Sequence, residues 1–171
     1  MDASHFVMGA YLGYLWCLVR VYIKAPSGRQ RYNVLGALHA ITLQVVTFTN
    51  DQYINSFSVV ELLKKLAMEF TDLPITIVLD NAKYQRNKFV MGEATKLGIE
   101  LLFLPTYSPN LNLIERLWKN VKSECLYSKH YENFTDFKAS INSNLSNNTV
   151  EHKKKLSTLL THNFQMFKNV A

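Results

Sequence analysis

The sequence contains few cysteines and few glycines, and each scarcity excludes a class of protein. Two cysteines, Cys17 and Cys125, occur in 171 residues, and neither belongs to a CxxC or Cys/His pattern. This spacing excludes a structural zinc site and a disulfide framework, and it is typical of a protein in a reducing cytosol. The six glycines form no glycine-rich phosphate loop, which argues against a nucleotide-binding α/β domain.

The sequence also lacks a long hydrophobic run. The most apolar stretch, residues 6–19 ("FVMGAYLGYLWCLV"), is followed at once by Arg20. A membrane-spanning helix needs about 20 apolar residues, so this stretch is too short. The preceding "MDASH" carries Asp2 and no lysine or arginine, which excludes a typical signal peptide.

The composition predicts one compact, mildly basic domain. Apolar residues make up 48% of the chain, and 19 lysines and arginines exceed 13 aspartates and glutamates, for a formal charge of +6. This length and apolar content are typical of a single domain with its own core. The positive charge favours a polyanionic partner without identifying one.

The hydrophobic pattern predicts an α/β fold. A β-meander over 32–40 and 42–50 precedes an amphipathic helix from Ser58 to Phe70 that Ser58 and Glu61 would cap. A strand, helix, strand unit follows at 75–80, 85–97 and 99–105. Three further helices are marked by apolar stripes, the last two separated by "SNNTVEHKKK": Leu111, Ile114, Leu117, Trp118, Val121 and Cys125; Phe134, Phe137, Ile141 and Leu145; Leu156, Leu159, Leu160, Phe164 and Phe167.

Two carboxylates follow strands of this unit, and each has a structural and a chemical interpretation. Asp80 ends an apolar strand, so it could simply cap the next helix. Glu115 lies three residues after Asn112, which is the spacing of a capping box. Alternatively, both lie at strand carboxyl ends, where α/β sheets hold ligands, and together they could bind divalent metal ions.

A two-metal site for phosphodiester chemistry would need a third carboxylate from the meander region. Within residues 1–57 the only acidic residues are Asp2 and Asp51. On the helix that begins near Glu115, Lys119 and Lys122 could follow a phosphate backbone. Lys119 could equally form an ordinary i,i+4 pair with Glu115.

Two long motifs carry a family resemblance. "VLDNAKYQRN" (78–87) and "LFLPTYSPNLNLIERLWKNVK" (102–122) occur in order, with 34 residues between Asp80 and Glu115. In this respect the chain resembles the catalytic core of the mariner-like DDE transposases, in particular their bacterial insertion-sequence branch. The resemblance covers residues 1 to about 135.

The resemblance implies a ribonuclease-H-like fold, with a central mixed sheet between helices, and a three-acid site for two Mg²⁺ or Mn²⁺ ions. Asp80 and Glu115 match the second and third acids, and Asp2 matches the first. It also implies nicking at transposon ends and joining of the freed 3′ hydroxyl to target DNA. The remaining site residues are DNA-binding Arg116, Lys119 and Lys122, and the supporting turn residues Asn81, Tyr107, Ser108, Asn110 and Asn112.

The resemblance further implies a domain organisation and partners. Residues 1–135 would form the catalytic core and 136–171 a C-terminal helical extension, while the family's helix-turn-helix domains would be absent before Met1 and the first strand would lack its leading half. We therefore keep two hypotheses: a DNA strand transferase, with a separately encoded DNA-binding partner, and a non-catalytic remnant that only binds DNA or a full-length partner. Asp2, near a terminus that could fray, favours the second hypothesis. A homodimer in the bacterial cytoplasm, at the nucleoid, is expected in the first case.

Overall fold

The computed structural model of the chain describes residues 1–9, 13, 16–24, 29–105, 111–147 and 149–161. None of the helices in these ranges is both long and apolar enough to cross a membrane. In chain order the elements are β1 (Asp2–Met8), β2 (Gln30–Leu38), β3 (Val45–Asn50), α1 (Ser56–Glu69), β4 (Ile75–Leu79), α2 (Lys88–Lys96), β5 (Ile99–Phe103), α3 (Ile114–Leu126), α4 (Phe134–Leu145) and α5 (Val150–Leu159).

The strands form an antiparallel meander and a parallel pair. β1, β2 and β3 pair in that order, with Asp2 opposite Gly36. β4 and β5 are parallel, and α2 makes the crossover that a parallel pair requires. The two sheets meet edge to edge where the nitrogen of Met1 donates to the carbonyl of Val78 at 2.6 Å. The predicted mixed α/β architecture is therefore present, although its two parts are paired as separate sheets.

Two apolar cores lie on the two sides of the sheets, which is the layered arrangement expected for this class. On one side, α1 and α2 pack against Leu35, Ile77 and Leu79. On the other, α3, α4 and α5 pack against β1 and β2 around Trp118 and Phe137. The helix α3, whose start is bonded to the end of β4 through Asn112 and Asp80, is thereby anchored to the meander.

The apolar stripes predicted the helices, with corrections at their ends. In α3 the predicted stripe from Ile114 to Cys125 is buried, but Leu111 lies before the helix and is 40% exposed. α5 begins at Val150, inside the stretch expected to be a polar separator. Phe164 and Phe167 lie outside the described residues.

The capping box of α1 differs from the prediction. Asn55, and not Ser58, is the N-cap: its side chain accepts a hydrogen bond from the Ser58 amide at 3.1 Å. Ser58 occupies the third helical position and returns the bond by accepting from the Asn55 amide at 3.3 Å. Glu61 instead pairs with Lys64 on the surface. A capping box is present as predicted, but it begins at Asn55, three residues before the predicted N-cap.

This difference can be tested by substitution. We expect Asn55→Ala to lower the free energy of unfolding by about 1 kcal/mol, because the first turn of α1 loses its side-chain acceptor. Glu61→Gln removes only an exposed i,i+3 pair, so it should change the free energy of unfolding much less than Asn55→Ala does. Urea denaturation followed by circular dichroism measures both, and a larger loss for Glu61→Gln would restore the original capping assignment.

Candidate active site

Asp80 directly follows β4, and its side chain faces the start of α3. Its Oδ1 accepts a hydrogen bond from Nδ2 of Asn112 at 3.2 Å. The helix after β4 is capped by Asn87, whose side chain accepts from the Val90 amide. The interpretation of Asp80 as a helix cap is therefore wrong, and its carboxylate is available at the carboxyl end of the parallel pair.

Glu115 lies in the first turn of α3 and does not take part in a capping box. The N-cap position is Leu113, and no side chain caps this helix. The Glu115 amide donates to the backbone carbonyl of Asn112 at 3.2 Å, while the Asn112 side chain is bound to Asp80. The predicted local pair is thus replaced by a contact between distant parts of the chain, and this contact brings the start of α3 to Asp80.

Asp2 begins β1 and is held by its strand. It lies opposite Gly36 of β2, and the preceding residue, Met1, is bonded to Val78 of β4. Val78 is two residues before Asp80. The start of β1 is therefore tied to both neighbouring strands at the end of the sheet where Asp80 lies.

The electrostatics of these three carboxylates are coupled. Burial raises the pKa of Asp2, and the charge of Asp80 raises it further. Burial also raises the pKa of Glu115, and the charges of Asp2 and Asp80 add to this effect. Asp2 and Glu115 are therefore both within reach of the charge of Asp80, although the three residues lie far apart in the sequence.

A carboxylate cluster of this kind suits a divalent cation. Magnesium prefers carboxylate oxygens together with water and substrate phosphate oxygens. Within the described part of the chain, no three histidine, cysteine, aspartate or glutamate side chains are grouped tightly enough to hold a metal ion as they stand. In the absence of a cation, three negative charges repel one another. The three carboxylates are nevertheless suitable ligands for Mg²⁺, although their oxygens do not surround a common point in this structure.

The described turn residues connect the two strand ends. Asn81 donates through Nδ2 to the Leu104 carbonyl at 2.6 Å and accepts from Arg86 at 3.1 Å. It therefore fixes the end of β4 to the end of β5, while Asn112 orients Asp80. Tyr107, Ser108 and Asn110, also predicted to support this turn, lie outside the described residues.

The three predicted DNA-binding residues differ in their surroundings. Lys119 is exposed, and its charge slightly opposes the rise in the pKa of Glu115. Lys122 lies over the ring of Phe6, with Nζ 5.8 Å from the ring centre. Arg116 donates to the carbonyl of Thr161 at 2.7 Å, so it ties α3 to the segment after α5. Lys119 is consequently the best placed of the three to contact a phosphate.

Two aromatic residues beside the carboxylates were missed by the sequence analysis. Burial, followed by the charges of Asp2 and Asp80, raises the pKa of Tyr84 to about 12. The indole N–H of Trp118 faces Asp2 and lowers its pKa slightly, although it lies outside hydrogen-bonding geometry. Tyr84 lies four residues after Asp80 in the same motif, and this position could have identified it as a neighbour of the site. Trp118 had been assigned only to the apolar stripe of its helix.

Comparison with protein families gives one match that covers most of the chain. The sequence pattern described as DDE superfamily endonuclease matches residues 1–138. No curated protein sequence is significantly similar to the chain. The family match includes all three carboxylates of the candidate site.

Solved structures share the fold at low sequence identity. The Mos1 transposase paired-end complex with left transposon end is similar with a TM-score of 0.65 and 12% identity, over 92% of this chain and 51% of that chain. The Mos1 mariner paired end complex with Mn gives 0.61 and 11% over the same shares. The catalytic domain of Mos1 mariner transposase gives 0.55 and 14%, over 77% of this chain and 69% of that chain. The chain thus spans about half the length of the first two proteins.

Proposed function

We propose that this chain, which belongs to the DDE superfamily of endonucleases, is the catalytic domain of a transposase that cleaves DNA and transfers the cut strand. The observation that carries the proposal is the convergence of Asp2, Asp80 and Glu115 at one end of the sheets, where Met1 bonds to Val78 and Asn112 bonds to Asp80. These residues come from β1, the end of β4 and the start of α3.

Asp2, Asp80 and Glu115 would hold two Mg²⁺ or Mn²⁺ ions. When bound, such ions activate the attacking oxygen and stabilise the leaving oxygen of a phosphodiester displacement. A similar structure contains Mn, which supports a metal of this class. Because Asn112 donates to Asp80, it would keep one ligand oriented before the metal arrives.

In the proposed reaction, water first hydrolyses a phosphodiester of one strand and leaves a 3′ hydroxyl on one side of the cut and a 5′ phosphate on the other side. That hydroxyl then attacks a target phosphodiester, which joins the strands and releases a new 3′ hydroxyl. Tyr84, with its pKa raised to about 12, stays protonated at neutral pH and could donate a hydrogen bond beside the carboxylates. Lys119 would contact the phosphate backbone.

DNA is the proposed partner, in agreement with the transposon end bound in a similar structure. We also propose that the chain belongs to the bacterial insertion-sequence branch and acts at the nucleoid as a homodimer, together with a helix-turn-helix DNA-binding partner. The alternative of a non-catalytic remnant depended on a frayed Asp2. Pairing of Asp2 opposite Gly36 and bonding of Met1 to Val78 argue against fraying.

The test of the proposed function is a nicking assay on supercoiled DNA with Mg²⁺ or Mn²⁺. We expect open-circular product with 3′ hydroxyl ends, formed only with the metal. DNA binding without any metal-dependent cleavage, in the presence of a candidate DNA-binding partner as well as in its absence, would favour the remnant.

Metal binding should stabilise the protein more strongly as the pH rises. The raised pKa values of Asp2 and Glu115 mean that the folded state favours their protonated forms. Their stabilising contribution is present below the ordinary carboxyl pKa and is lost as the pH rises through the raised values. Above those values the charged carboxylates destabilise the fold, and a divalent cation neutralises their repulsion. We therefore expect Mg²⁺ at about 100 times its Kd to add about 2.7 kcal/mol to the free energy of unfolding at pH 7.5 and much less at pH 5.

Two glutamates of α3 provide a matched pair for this measurement by differential scanning fluorimetry. Glu115→Gln removes one repulsive charge, so its melting temperature without metal should equal or exceed that of the wild type, and it should gain little from Mg²⁺. Burial alone would raise the pKa of Glu124, but bonds from Lys155 and Asn144 outweigh it and lower that pKa. Glu124→Gln should therefore lose stability at neutral pH and keep its full metal response. An equal metal response in all three proteins would contradict the proposed site.

A further inference from the structure

A network of polar side chains crosses the meander and ends at His5 of β1. His5, Asn33 and Asn50 lie opposite one another on β1, β2 and β3. Nδ1 of His5 is 2.6 Å from Oδ1 of Asn33. Nδ2 of Asn33 donates to Oδ1 of Asn50 at 3.0 Å and to the carbonyl of Gln52 at 2.9 Å. Asn33 is fully buried and His5 is exposed, so the ring lies at the solvent end of a buried network.

This network fixes the ring nitrogen of His5 that carries a proton. A backbone carbonyl can only accept, so the bond to Gln52 identifies Nδ2 of Asn33 as the donor and leaves Oδ1 facing His5. Because Oδ1 can also only accept, Nδ1 of His5 donates. That N–H is present both in the neutral ring with its proton on Nδ1 and in the charged ring. His5 can therefore gain a proton at Nε2 without losing its bond to Asn33.

His39 has the opposite arrangement. Its Nδ1 accepts from the Ile41 amide at 3.2 Å and from the Thr42 amide at 3.1 Å. A proton on Nδ1 would remove this acceptor, so a charged His39 would lose both bonds. His39 thus holds the turn after β2 in its neutral form, whereas His5 keeps its bond in either form and presents a charged donor when protonated.

The charged groups around His5 favour an anionic ligand. Arg31 is exposed on the same face of the meander and lies diagonally across from His5, at a Cβ separation of about 7–8 Å. In the turn after β3, Asp51 is paired with Lys138, and the first turn of α1 carries no acidic residue. On the other face of β1, α3 contributes Lys122. A phosphate placed against His5 would therefore meet positive charge.

The direction of β1 places His5 near the candidate active site. Residues 37–41 and the start of β4, residues 74–78, line a cavity beside Met1, so β1 leaves Met1 towards the end of β4. His5 follows Asp2 by three residues, or about 10 Å at 3.4 Å per residue. This is the rise of about three nucleotides of a DNA strand. Since three steps also place the two side chains on opposite faces of the sheet, His5 would contact DNA next to the scissile phosphate and not that phosphate itself.

We propose that His5 binds a phosphate of the DNA backbone through Nε2, and that Asn33 is the positioning residue that holds its ring. The ring donates from Nδ1 to Asn33 and from Nε2 to a phosphate oxygen. The bound ring is therefore the charged form, and a neutral His5 takes up one proton from solvent when DNA binds. The inference rests on the proposed function, because DNA is the ligand, and it adds a DNA contact on the meander.

Two substitutions of His5 separate the roles of its two nitrogens. The amide of asparagine reaches the position of Nδ1, so His5→Asn can keep the bond to Asn33 but has no group at the position of Nε2. The amide of glutamine reaches the position of Nε2, so His5→Gln can donate to a phosphate but leaves Oδ1 of Asn33 without its partner. We expect His5→Asn to be the more stable variant and His5→Gln to bind DNA more tightly. His5→Asn should bind about tenfold more weakly than the wild type, as loss of a charged hydrogen bond implies.

Fluorescence anisotropy with a labelled duplex of about 20 base pairs, at pH 6.5 in EDTA, measures affinity without cleavage, and urea denaturation measures stability. Loss of one charged phosphate contact should lower the slope of log affinity against log salt by about 0.9 in both His5 variants. His39→Gln is the control and should keep the slope of the wild type. Inorganic phosphate, added at constant ionic strength, should not displace the DNA.

The outcomes separate this inference from the proposed function. If the wild type nicks DNA but the His5 variants keep its affinity and its salt slope, the inference is wrong and the function stands. A loss of stability in these variants with an unchanged slope would make His5 a structural residue only. Displacement of the duplex by inorganic phosphate would identify free phosphate as the ligand and overturn the DNA contact. A wild type that neither binds nor nicks DNA would overturn both proposals.

Discussion

Asp80→Asn and Glu115→Gln, each made alone, should reduce metal-dependent DNA nicking more than about 1,000-fold, a loss of about 4 kcal/mol in transition-state stabilisation. Each substitution removes an oxygen ligand with a negative charge and leaves a side chain of nearly the same shape. In Asp80→Asn, the carbonyl oxygen of the new amide can still accept a hydrogen bond from Asn112, so the contact between the β4 end and α3 survives. The loss should therefore appear in activity and not in the fold.

The matched control lies at the opposite end of the same strand. Asp72 precedes β4 as Asp80 follows it, and Asp72 is exposed. Asp72→Asn changes the net charge by the same amount but does not touch the candidate site, so its nicking rate should stay within about twofold of the wild type, as is usual for surface substitutions. Quantification of open-circular plasmid over time, at fixed Mg²⁺ and salt, gives all three rates. Comparable rates in all variants would exclude the proposed site.

Regular elements could be predicted from the sequence because their signals are local. Pro74 precedes β4, and Gly98, with a φ of +67°, ends α2 in a conformation that glycine adopts readily. Between such markers, the spacing of the apolar residues distinguishes a five-residue strand from a helix. The strand, helix, strand unit and the meander were correct for this reason, with boundaries displaced by a few residues.

The hydrogen bonds of the site could not be predicted because several local partners compete with distant ones. Asn112 and Glu115 have capping-box spacing, yet Asn112 bonds to Asp80, 32 positions away. Similarly, Asn55 and Ser58 were both acceptable caps, and only the folded chain shows which is used. Sequence spacing identifies the residues that can make a contact, whereas packing of the sheets and helices selects the contact that forms.

The sequence predicted the three carboxylates of the candidate site, but it did not predict the side chains that surround them. The motifs pointed to Asp80 and Glu115, and the family resemblance added Asp2. Trp118 faces Asp2 only because α3 packs on β1 and β2. Such neighbours come from elements more than 100 residues apart, and no local pattern in the sequence carries that information.

Gly36 shows how closely the site depends on this packing. It lies opposite Asp2, and a Cβ at this position would lie 2.7 Å from Cη2 and 2.9 Å from Cζ2 of Trp118. Trp118 is buried and packs edge-on against Phe6, so its ring cannot move without displacing α3. Because α3 also carries Glu115, the missing side chain of Gly36 allows the third carboxylate to approach the first.

We therefore expect Gly36→Ala to lower the free energy of unfolding by about 1–3 kcal/mol, the usual cost of overpacking a core, and to slow nicking as Glu115 moves from Asp2. Gly92→Ala is the matched control, since a Cβ there meets nothing within 4 Å and alanine favours the helix by up to about 1 kcal/mol. In the double variant with Trp118→Phe, the smaller ring should restore part of the loss, so that the two effects are not additive. Denaturant melts and nicking rates on the wild type, the single variants and the double variant measure this. If Gly36→Ala is as stable as Gly92→Ala, the contact between Gly36 and Trp118 does not set the position of α3.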